Sequence, residues 1–419
     1  MPLAGLDLGQ SDADKRSMTE IFSGSFTQQE PIPEEAIAAA VEVMRHGRLH
    51  RYNVVEGEAG EVTLLEEEFA AQMGAPYALA VASGGYALAT ALRAVGVKPG
   101  DKVLTNAFTL APVPGSIAAV GADPVYVGVT EALTLDLEDL ERQLSVNGHP
   151  RVLMLSHMRG HLCDMDRLMA ICDASDVTVI EDCAHTMGAR WNGVLSGRHG
   201  AVGCYSCQTY KHVNSGEGGL LVTSDPDIAA RAIMLSGSYM LYERHRAAPG
   251  PEVFERIKYE TPNISGRMDN LRAAILRPQL RDLDRQVQRW KDRYQLIEAG
   301  LRDTPGLKVV ERPTEELYVG SSIQFLLLDW SAQKITEVLN RCAARGVELK
   351  WFGAPEPVAF TSRYDSWRYA EAPEMPASDR VLHGVIDMRV PLTFSLDDCA
   401  QIARIIRAEV AAVFQAGPN

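Results

Sequence analysis

The sequence predicts an α/β protein with a large domain built on a mainly parallel sheet and a smaller α+β domain at the C-terminus. About seven short apolar segments alternate with segments of helical apolar spacing before residue 240. This alternation is typical of a parallel sheet covered by helices on both faces. The chain has 419 residues, which is too long for one small core and suits a large and a small domain within one subunit.

The predicted elements follow one another in a regular order along the chain. The strands of the large sheet are predicted at 77–82, 102–107, 123–129, 151–156, 177–182, 201–205 and 219–223. Helices are predicted at 33–44, 63–74, 113–120, 167–175, 226–236 and 282–303, and the small domain has a strand at 322–328 and helices at 332–345 and 396–416. We therefore predict an N-terminal arm at 1–25, a large domain at 26–285 and a small domain at 286–419.

Composition excludes several classes of protein. The formal net charge of -14 argues against a nucleic-acid partner. Seven scattered Cys, an odd number, form no disulfide framework and indicate a reducing cytoplasm. The first residues have neither a basic segment nor an apolar core, and no apolar run reaches 18 residues, so we expect no signal peptide and no membrane partner.

The stretch from Tyr205 to Leu220 carries the first sign of chemistry. Lys211 lies five residues after Ser206 and five residues before a Gly-Glu-Gly-Gly run that begins at Gly216. A Lys held on such a turn is a candidate for Schiff-base formation, because burial and nearby cations can give it a neutral, nucleophilic amine. A solvated surface Lys beside a Gly-rich turn is the alternative.

A second stretch, VTVIEDCAHTMGA, places Asp182 and His185 at the end of a short apolar strand. Ligands of open α/β sheets collect at the carboxyl ends of the strands. An Asp at this position can pair with the protonated ring nitrogen of pyridoxal 5'-phosphate (PLP). A helix N-cap remains the alternative role for Asp182.

Together these stretches resemble the DegT/DnrJ/StrS aminotransferases, PLP enzymes of fold type I that include many sugar aminotransferases. The resemblance runs from about Ile32 to the C-terminus, because the family has an "EDxAH" segment before an "SxxxxK…GEGG" segment. It implies that Asp182 pairs with the ring nitrogen, that His185 lies near the ring, that Lys211 carries PLP and that Ser206 contacts the phosphate. Lys211 also argues against the related dehydratases, which have His at this position. No metal site is predicted.

The resemblance implies further contacts to the cofactor. The segment Ser83-Gly84-Gly85-Tyr86 matches the family's "SGTxAL" and opens a helix whose free amides suit a phosphate. The family's "FTF" motif is Phe108-Thr-Leu110 here, so Leu110, Phe108 or His185 would cover the ring face. Asn263 and Ser265 lie where the family has an Asn that reaches the phosphate of the neighbouring subunit, which implies a homodimer with a shared active site.

Six residues are candidates for substrate contact. They are His50, Arg51, Arg159, Arg267, Trp351 and Arg389. The family's "LHxQP"-like segment is replaced by LKWFGAPEP, which predicts an acceptor other than a nucleotide-linked keto sugar. A planar guanidinium suits a carboxylate or phosphate, so Arg389 or Arg159 would hold an anionic or cyclic acceptor. Alternatively Trp351 and Phe352 are core residues and Arg389 pairs with Asp387.

The predicted function is therefore PLP-dependent transfer of an amino group. The donor would be glutamate or glutamine, and the acceptor a sugar or a smaller or cyclic ketone in a biosynthetic pathway. Two alternatives keep the same fold: another PLP reaction such as elimination, decarboxylation or carbon–carbon bond formation, and a regulatory protein without turnover.

Overall fold

The computed structural model describes residues 20–146, 150–359 and 361–416. In chain order its strands are β1 (Tyr77–Val81), β2 (Lys102–Asn106), β3 (Asp123–Val127), β4 (Val152–Ser156), β5 (Thr178–Asp182), β6 (Arg190–Trp191), β7 (Val194–Leu195), β8 (Val202–Ser206), β9 (Gly219–Thr223), β10 (Lys308–Val309), β11 (Glu316–Leu317), β12 (Ser322–Leu326), β13 (Lys350–Trp351) and β14 (Val385–Arg389). The helices are α1 (Glu34–His46), α2 (Glu61–Met73), α3 (Gly84–Ala94), α4 (Pro112–Ala119), α5 (Leu137–Val146), α6 (Met165–Ala174), α7 (Pro226–Leu235), α8 (Pro251–Ile257), α9 (Asn270–Arg281), α10 (Leu283–Leu301), α11 (Ala332–Ala344), α12 (Pro376–His383) and α13 (Leu396–Gln415).

Seven strands form the central sheet in the order β1-β9-β8-β5-β4-β2-β3. The pairs from β8 through β5, β4 and β2 to β3 are parallel, whereas β9 runs antiparallel to both β8 and β1. Strands β4 and β9 are buried along their whole length, as expected for a sheet covered on both faces. The predicted α/β fold with a seven-stranded, mostly parallel sheet is therefore confirmed.

Local sequence explains where several helices of the large sheet begin. The side chains of Ser83, Asp164 and Asp225 each accept a hydrogen bond from a backbone amide in the first turn of the following helix. Such N-caps satisfy amides that have no partner within the helix. Ser83 and Asp164 thereby fix loops that follow the carboxyl ends of β1 and β4, whereas Asp225 follows the antiparallel β9 at the opposite edge of the sheet.

A second, four-stranded antiparallel sheet has the order β10-β12-β14-β13. Helices α10, α11 and α13 pack with it around a separate apolar core. Phe22 and Phe26 belong to this core, and both rings contact Phe394 at 5.0 Å between centroids. Residues 20–25 of the predicted arm thus pack on the second sheet, and residues 1–19 lie outside the described part of the chain.

The structure also contains elements that the sequence pattern does not predict. Strands β6, β7 and β11 form a small three-stranded sheet, and helices α5, α8, α9 and α12 are additional. Two-residue strands are too short to produce a periodic pattern, so the sequence contains no signal for them. Among the described helices, none combines the length and the apolar character that a membrane span requires.

Candidate active site

A cavity of about 390 Å³ lies where the carboxyl ends of β5 and β8 meet the N-terminus of α3. Residues from the loops after β4 and β8 complete the large-sheet side of its wall. The opposite wall comes from the second sheet, through Ser321, Ser322 and Arg389. The cavity therefore occupies the crevice that open α/β sheets use for ligands.

Lys211 lies half-buried in this cavity, on the turn that follows β8. Its Nζ lies 3.1 Å from Nε2 of His185. Burial lowers the pKa of Lys211 to about 7; the Asp182 carboxylate opposes the shift, and Arg159 and Arg389 reinforce it. Much of the amine is thus neutral near pH 7, which is the form that attacks a carbonyl.

Asp182 presents its carboxylate to the same cavity from the end of β5. One oxygen accepts a hydrogen bond from the Ser156 hydroxyl at 3.0 Å and the other from the Ala184 amide at 3.1 Å. The second contact closes a local turn, and no helix begins here. Asp182 is therefore not a helix N-cap, and its two anchors hold the carboxylate in one orientation.

Small residues bring the start of α3 close to the end of β8. A Cβ atom added to Gly84 would lie 2.8 Å from Cβ of Ser206, and one added to Gly219 would lie 2.3 Å from the Ser83 carbonyl oxygen. Ser83 caps only the Tyr86 amide, so the first amides of α3, at Gly84 and Gly85, have no partner within the helix. Together with the Ser206 hydroxyl they form a cradle for an anion.

These residues fit PLP. The cradle offers amides and a hydroxyl to a phosphate, Asp182 offers a fixed carboxylate to a ring nitrogen, and Lys211 offers a primary amine. Leu110 and His185 also line the cavity. Burial, reinforced by Lys211, keeps the pKa of His185 well below its ordinary value. The imidazole ring is therefore uncharged where it lines the cavity. When bound, PLP supplies an electron-accepting ring that makes the α-hydrogen of an amino acid labile.

The structure brings together ten of the residues singled out from the sequence. Around the cavity lie Ser83, Gly84, Gly85, Leu110, Arg159, Asp182, His185, Ser206, Lys211 and Arg389. The remaining eight are outside it in this subunit: His50, Arg51, Tyr86, Phe108, Asn263, Ser265, Arg267 and Trp351.

Tyr86 and Phe108 point away from the cavity. The Tyr86 hydroxyl donates to the backbone oxygens of Leu235 and Ile264, each at 3.0 Å. Phe108 is 1% exposed, and its ring packs edge-on against Phe352 at 5.1 Å. Of the three candidates for covering the cofactor ring, the structure therefore leaves Leu110 and His185.

Arg51 and Trp351 have structural partners instead of a ligand. Arg51 forms a two-pronged ion pair with Glu66, with both distances 2.9 Å, and both side chains are buried. Trp351 donates to the His383 carbonyl oxygen at 2.6 Å and packs at the margin of the second core. His50, by contrast, is exposed on the loop after α1.

Asn263, Ser265 and Arg267 lie on a surface segment away from the cavity. The Ser265 hydroxyl is 3.1 Å from the Tyr239 hydroxyl. The guanidinium of Arg267 lies over the Tyr239 ring at 4.8 Å and donates to the Gly237 carbonyl oxygen at 2.7 Å. Asn263 itself is exposed, so within one subunit it touches nothing in the cavity.

Sequence reasoning missed two residues near Arg159 and Arg389, namely Gln324 and Tyr210, and considered Asp387 only as a partner of Arg389. Asp387 contacts Arg159 at 2.9 Å and accepts a hydrogen bond from Gln324 at 2.8 Å. Arg389 lies over the Tyr210 ring, 3.6 Å from its centroid. Because Tyr210 adjoins Lys211 in sequence, its place beside the cavity could have been predicted. Nothing in the sequence, by contrast, pairs residue 159 with residue 387.

One group of side chains has the ligand types of a metal site. Atoms of His157, Glu181 and Cys183 lie within 4.8 Å of one another. Glu181, however, already accepts from His157 and from the amides of Gly197, His199 and Gly200. Burial raises the pKa of the Cys183 thiol well above its ordinary value, which disfavours a thiolate ligand. These contacts assign the group a structural role in holding β5.

Comparison with known proteins agrees with this geometry. A family model described as the DegT/DnrJ/EryC1/StrS aminotransferase family matches residues 31–407. A putative L-glutamine:3-amino-2,3-dideoxy-scyllo-inosose aminotransferase of Streptomyces kanamyceticus is 30% identical over 69% of this chain and 67% of its own. The dTDP-3-amino-3,4,6-trideoxy-alpha-D-glucose transaminase of Streptomyces venezuelae is 32% identical over 66% and 68%.

A solved structure also superimposes over almost the whole chain. It is that of S. venezuelae DesV in complex with a ketimine intermediate, with a TM-score of 0.74 and 27% identity over 91% of this chain and 94% of that one. The predicted resemblance, the PLP cofactor and the aminotransferase activity are confirmed by these matches.

Proposed function

Because this chain belongs to the DegT/DnrJ/EryC1/StrS aminotransferase family, we propose that it moves an amino group from glutamate or glutamine to a ketone on a sugar or a smaller ring. The observation that carries the proposal is the position of Lys211, whose lowered pKa leaves a reactive amine beside Asp182 and His185. This is the arrangement that a PLP-dependent transamination needs.

The chain's own residues have distinct proposed roles. Lys211 would hold PLP through its amine, and an amine with a pKa near the working pH would also suit the transfer of the proton of the substrate α-carbon. Asp182 keeps the ring nitrogen protonated. The amides of Gly84 and Gly85, with Ser83 and Ser206, bind the phosphate.

We propose an acceptor without a nucleotide. The cavity measures about 390 Å³, and PLP must occupy part of it. Two guanidinium groups line it, Arg159 from the large-sheet side and Arg389 from the second sheet. The two relatives compared above are named for a cyclitol ketone and for a nucleotide-linked sugar, so the family contains both classes and only direct assays separate them.

We also propose a homodimer with a shared active site. Tyr239, Met240 and Ile264 are 57%, 46% and 48% exposed, an apolar patch of the kind that marks an interaction surface. Tyr239 and Met240 both have positive φ, 52° and 62°, which is rare for such side chains. A second subunit that covers this patch would receive Asn263 and Ser265 at its own cavity.

The sequence also leads us to propose the division of the chain and its location. We propose an arm at 1–25 and domains at 26–285 and 286–419, supported by the separate apolar core of the second sheet. A cytoplasmic location is supported by seven free, buried cysteines.

A substrate screen tests the proposed function. Holoenzyme is mixed with each common amino acid while the visible absorption of the cofactor is followed, and then with ring ketones, small keto acids and dTDP-, UDP- and GDP-keto sugars. We expect glutamate or glutamine to bleach the absorption and a ring ketone to restore it. Efficient restoration by a nucleotide sugar would contradict the proposed acceptor, and an absorption that no amino acid changes would contradict transamination.

A further inference from the structure

Two adjacent serines, Ser321 and Ser322, line the wall that the second sheet gives to the cavity. Oγ of Ser321 lies 2.8 Å from Nε2 of His212. Oγ of Ser322 accepts a hydrogen bond from Nε2 of Gln324 at 2.9 Å. His212 and Gln324 do not line the cavity themselves. Among the described residues neither hydroxyl has a second hydrogen-bond partner, so each has bonding capacity left for the cavity.

Gln324 determines the direction of the hydrogen bond to Ser322. Its Nε2 also donates to Oδ1 of Asp387 at 2.8 Å, and its Oε1 lies 2.8 Å from Nε2 of His161. A carboxylate only accepts hydrogen bonds, so the amide nitrogen of Gln324 must face Asp387 and Ser322. The Ser322 hydroxyl therefore accepts from Gln324, and its own proton is left without an acceptor among the described residues.

His212 determines the direction of the hydrogen bond to Ser321. Burial, reinforced by Lys211, lowers the pKa of His212 to about 3, so the ring is neutral and carries one proton. Its Nδ1 is buried without a partner in the described part of the chain. A buried N–H without an acceptor is tolerated less well than a lone pair without a donor, so the proton belongs on Nε2. The Ser321 hydroxyl then accepts from His212 and keeps its own proton for the cavity.

Packing holds His212 and Ser321 in these positions. The indole of Trp290 lies against the His212 ring, with 5.1 Å between the ring centroids, and its Nε1 donates to the Val390 carbonyl oxygen at 3.1 Å. The Val390 amide in turn donates to the Ser321 carbonyl oxygen at 3.0 Å. Neither Trp290 nor Val390 lines the cavity. The direction of the Ser321 hydroxyl is thus fixed by residues that need not touch a substrate.

We propose that Ser321 and Ser322 are a pair of hydrogen-bond donors that select a ring ketone carrying hydroxyl groups, and that His212 is the positioning residue for Ser321. The inference rests on the proposed function, because it names the class of acceptor that the same cavity takes. Two neutral donors side by side suit hydroxyl oxygens, which accept hydrogen bonds and carry no charge. A ring without hydroxyl groups would leave these buried donors unsatisfied.

The experiment compares two ring ketones, pentahydroxycyclohexanone with every hydroxyl equatorial and cyclohexanone. Ligand-detected NMR measures their binding to the holoenzyme without an amino donor, so that no amino group can be transferred. We expect Ser321→Ala and Ser322→Ala each to weaken the binding of pentahydroxycyclohexanone about 3- to 10-fold, the value of one neutral hydrogen bond. Neither should weaken the binding of cyclohexanone. Ser145→Ala, which removes an exposed hydroxyl outside the cavity, is the matched control and should change neither affinity.

Variants of His212 test the positioning role. His212→Phe keeps a ring beside Trp290 but removes the donor to Ser321, so it should weaken pentahydroxycyclohexanone binding as Ser321→Ala does. Adding Ser321→Ala to it should cost little more, because the two changes remove the same interaction. His212→Gln, whose amide nitrogen can take the place of Nε2, should keep more of the wild-type affinity. If His212 were merely structural, both variants would weaken the binding of both ketones alike.

Nitrogen-15 NMR of the labelled holoenzyme tests the direction of the hydrogen bond without any substrate. We expect the His212 ring to carry its proton on Nε2 and none on Nδ1 near neutral pH. The signal is assigned by its absence from the spectrum of His212→Gln or, if that variant does not fold, of His212→Asn. A proton on Nδ1 would overturn the positioning role, whatever the affinities of the variants.

Three results would overturn the selection of hydroxyl groups. They are no binding of pentahydroxycyclohexanone to the wild-type holoenzyme, unchanged binding in both serine variants, and equal weakening of both ketones in variants whose cofactor absorption and unfolding temperature are those of the wild type. Selective binding with no transfer of an amino group from glutamate or glutamine would uphold the serine pair and contradict the proposed function. Transfer to cyclohexanone but not to pentahydroxycyclohexanone would do the reverse.

Discussion

At the residue scale, Lys211 is the only Lys that lines the cavity among the described residues. We expect borohydride reduction of the holoenzyme, followed by peptide mapping, to place the phosphopyridoxyl mass on Lys211, and Lys211→Ala to carry no such label. Lys350→Ala is the control, because the pKa of Lys350 is lowered to about 8 by burial and it is the next most reactive amine. A label on Lys350 would contradict the assignment.

The lowered pKa of Lys211 gives the capture of PLP by the apoprotein a pH dependence. Only the neutral amine attacks the aldehyde, so the capture rate should rise as pH increases through about 7 and level off above it. Arg389→Gln removes a cation that lowers this pKa. In this variant the midpoint of the pH dependence of the capture rate should move to higher pH. Stopped-flow absorption measures both, and a midpoint near the ordinary Lys value, about 10.4, would refute the prediction.

Asp182 provides a third prediction at this scale. In Asp182→Asn the amide cannot keep a ring nitrogen protonated, so we expect kcat to fall about 100- to 1,000-fold, as on removal of one preorganised electrostatic group, while PLP remains bound. Steady-state kinetics and cofactor absorption measure the two effects. Ser156→Ala, which removes one anchor of the carboxylate, should show a smaller loss. Near wild-type activity in Asp182→Asn would mean that another group protonates the ring.

The sequence identified the reactive residues better than the residues that surround them. Lys211, Asp182 and Ser206 follow strands whose apolar pattern is clear, and the topology of a parallel sheet brings such positions together. Arg51 and Phe108 looked equally suitable, but the partners that hold them, Glu66 and Phe352, are 15 and 244 residues distant in sequence (66 − 51 and 352 − 108). Local pattern contains no information about such long-range contacts, so it could not separate core residues from ligand contacts.

At the scale of elements, the ion pair between Arg51 and Glu66 fastens the loop after α1 to α2. Burial alone would raise the pKa of Glu66, but Arg51 and His245 lower it to about 2. The ionised Glu66 carboxylate therefore contributes its full stabilisation above the ordinary Glu pKa of about 4.5, and this contribution is lost as pH falls through about 2. We expect Glu66→Gln to lower the free energy of unfolding by about 3–5 kcal/mol, because it leaves a buried cation without its partner.

The neighbouring residue is a matched control for this measurement. Glu67 forms an ion pair with Arg246 at 3.7 Å in which both side chains are more than a third exposed. Glu67→Gln should change the free energy of unfolding by no more than about 1 kcal/mol. Denaturant unfolding of both variants at pH 7 gives the comparison, and equal effects would show that burial of the Arg51 pair contributes little.

At the scale of the whole molecule, the proposed dimer makes a prediction about mixed subunits. Lys211→Ala and the double variant Asn263→Ala, Ser265→Ala should each have little activity. After subunit exchange, a heterodimer would hold one site with an intact Lys211 from one chain and an intact Asn263 from the other, so activity should return. Sedimentation confirms the dimer. No recovery in a confirmed heterodimer would mean that Asn263 acts within its own subunit or not at all.

The order of strands in the central sheet also determines when the site can appear during synthesis. Tyr77 pairs with Thr223, which is 146 residues later in the chain (223 − 77). At about 5–20 residues per second, β1 waits roughly 7–30 s for the strand that joins it to the sheet. The anion cradle brings the start of α3 against β8 and β9. A ribosome-bound chain that ends before β9 therefore cannot hold the phosphate. The cofactor therefore enters a nearly complete polypeptide, and an N-terminal fragment should gain nothing from its presence.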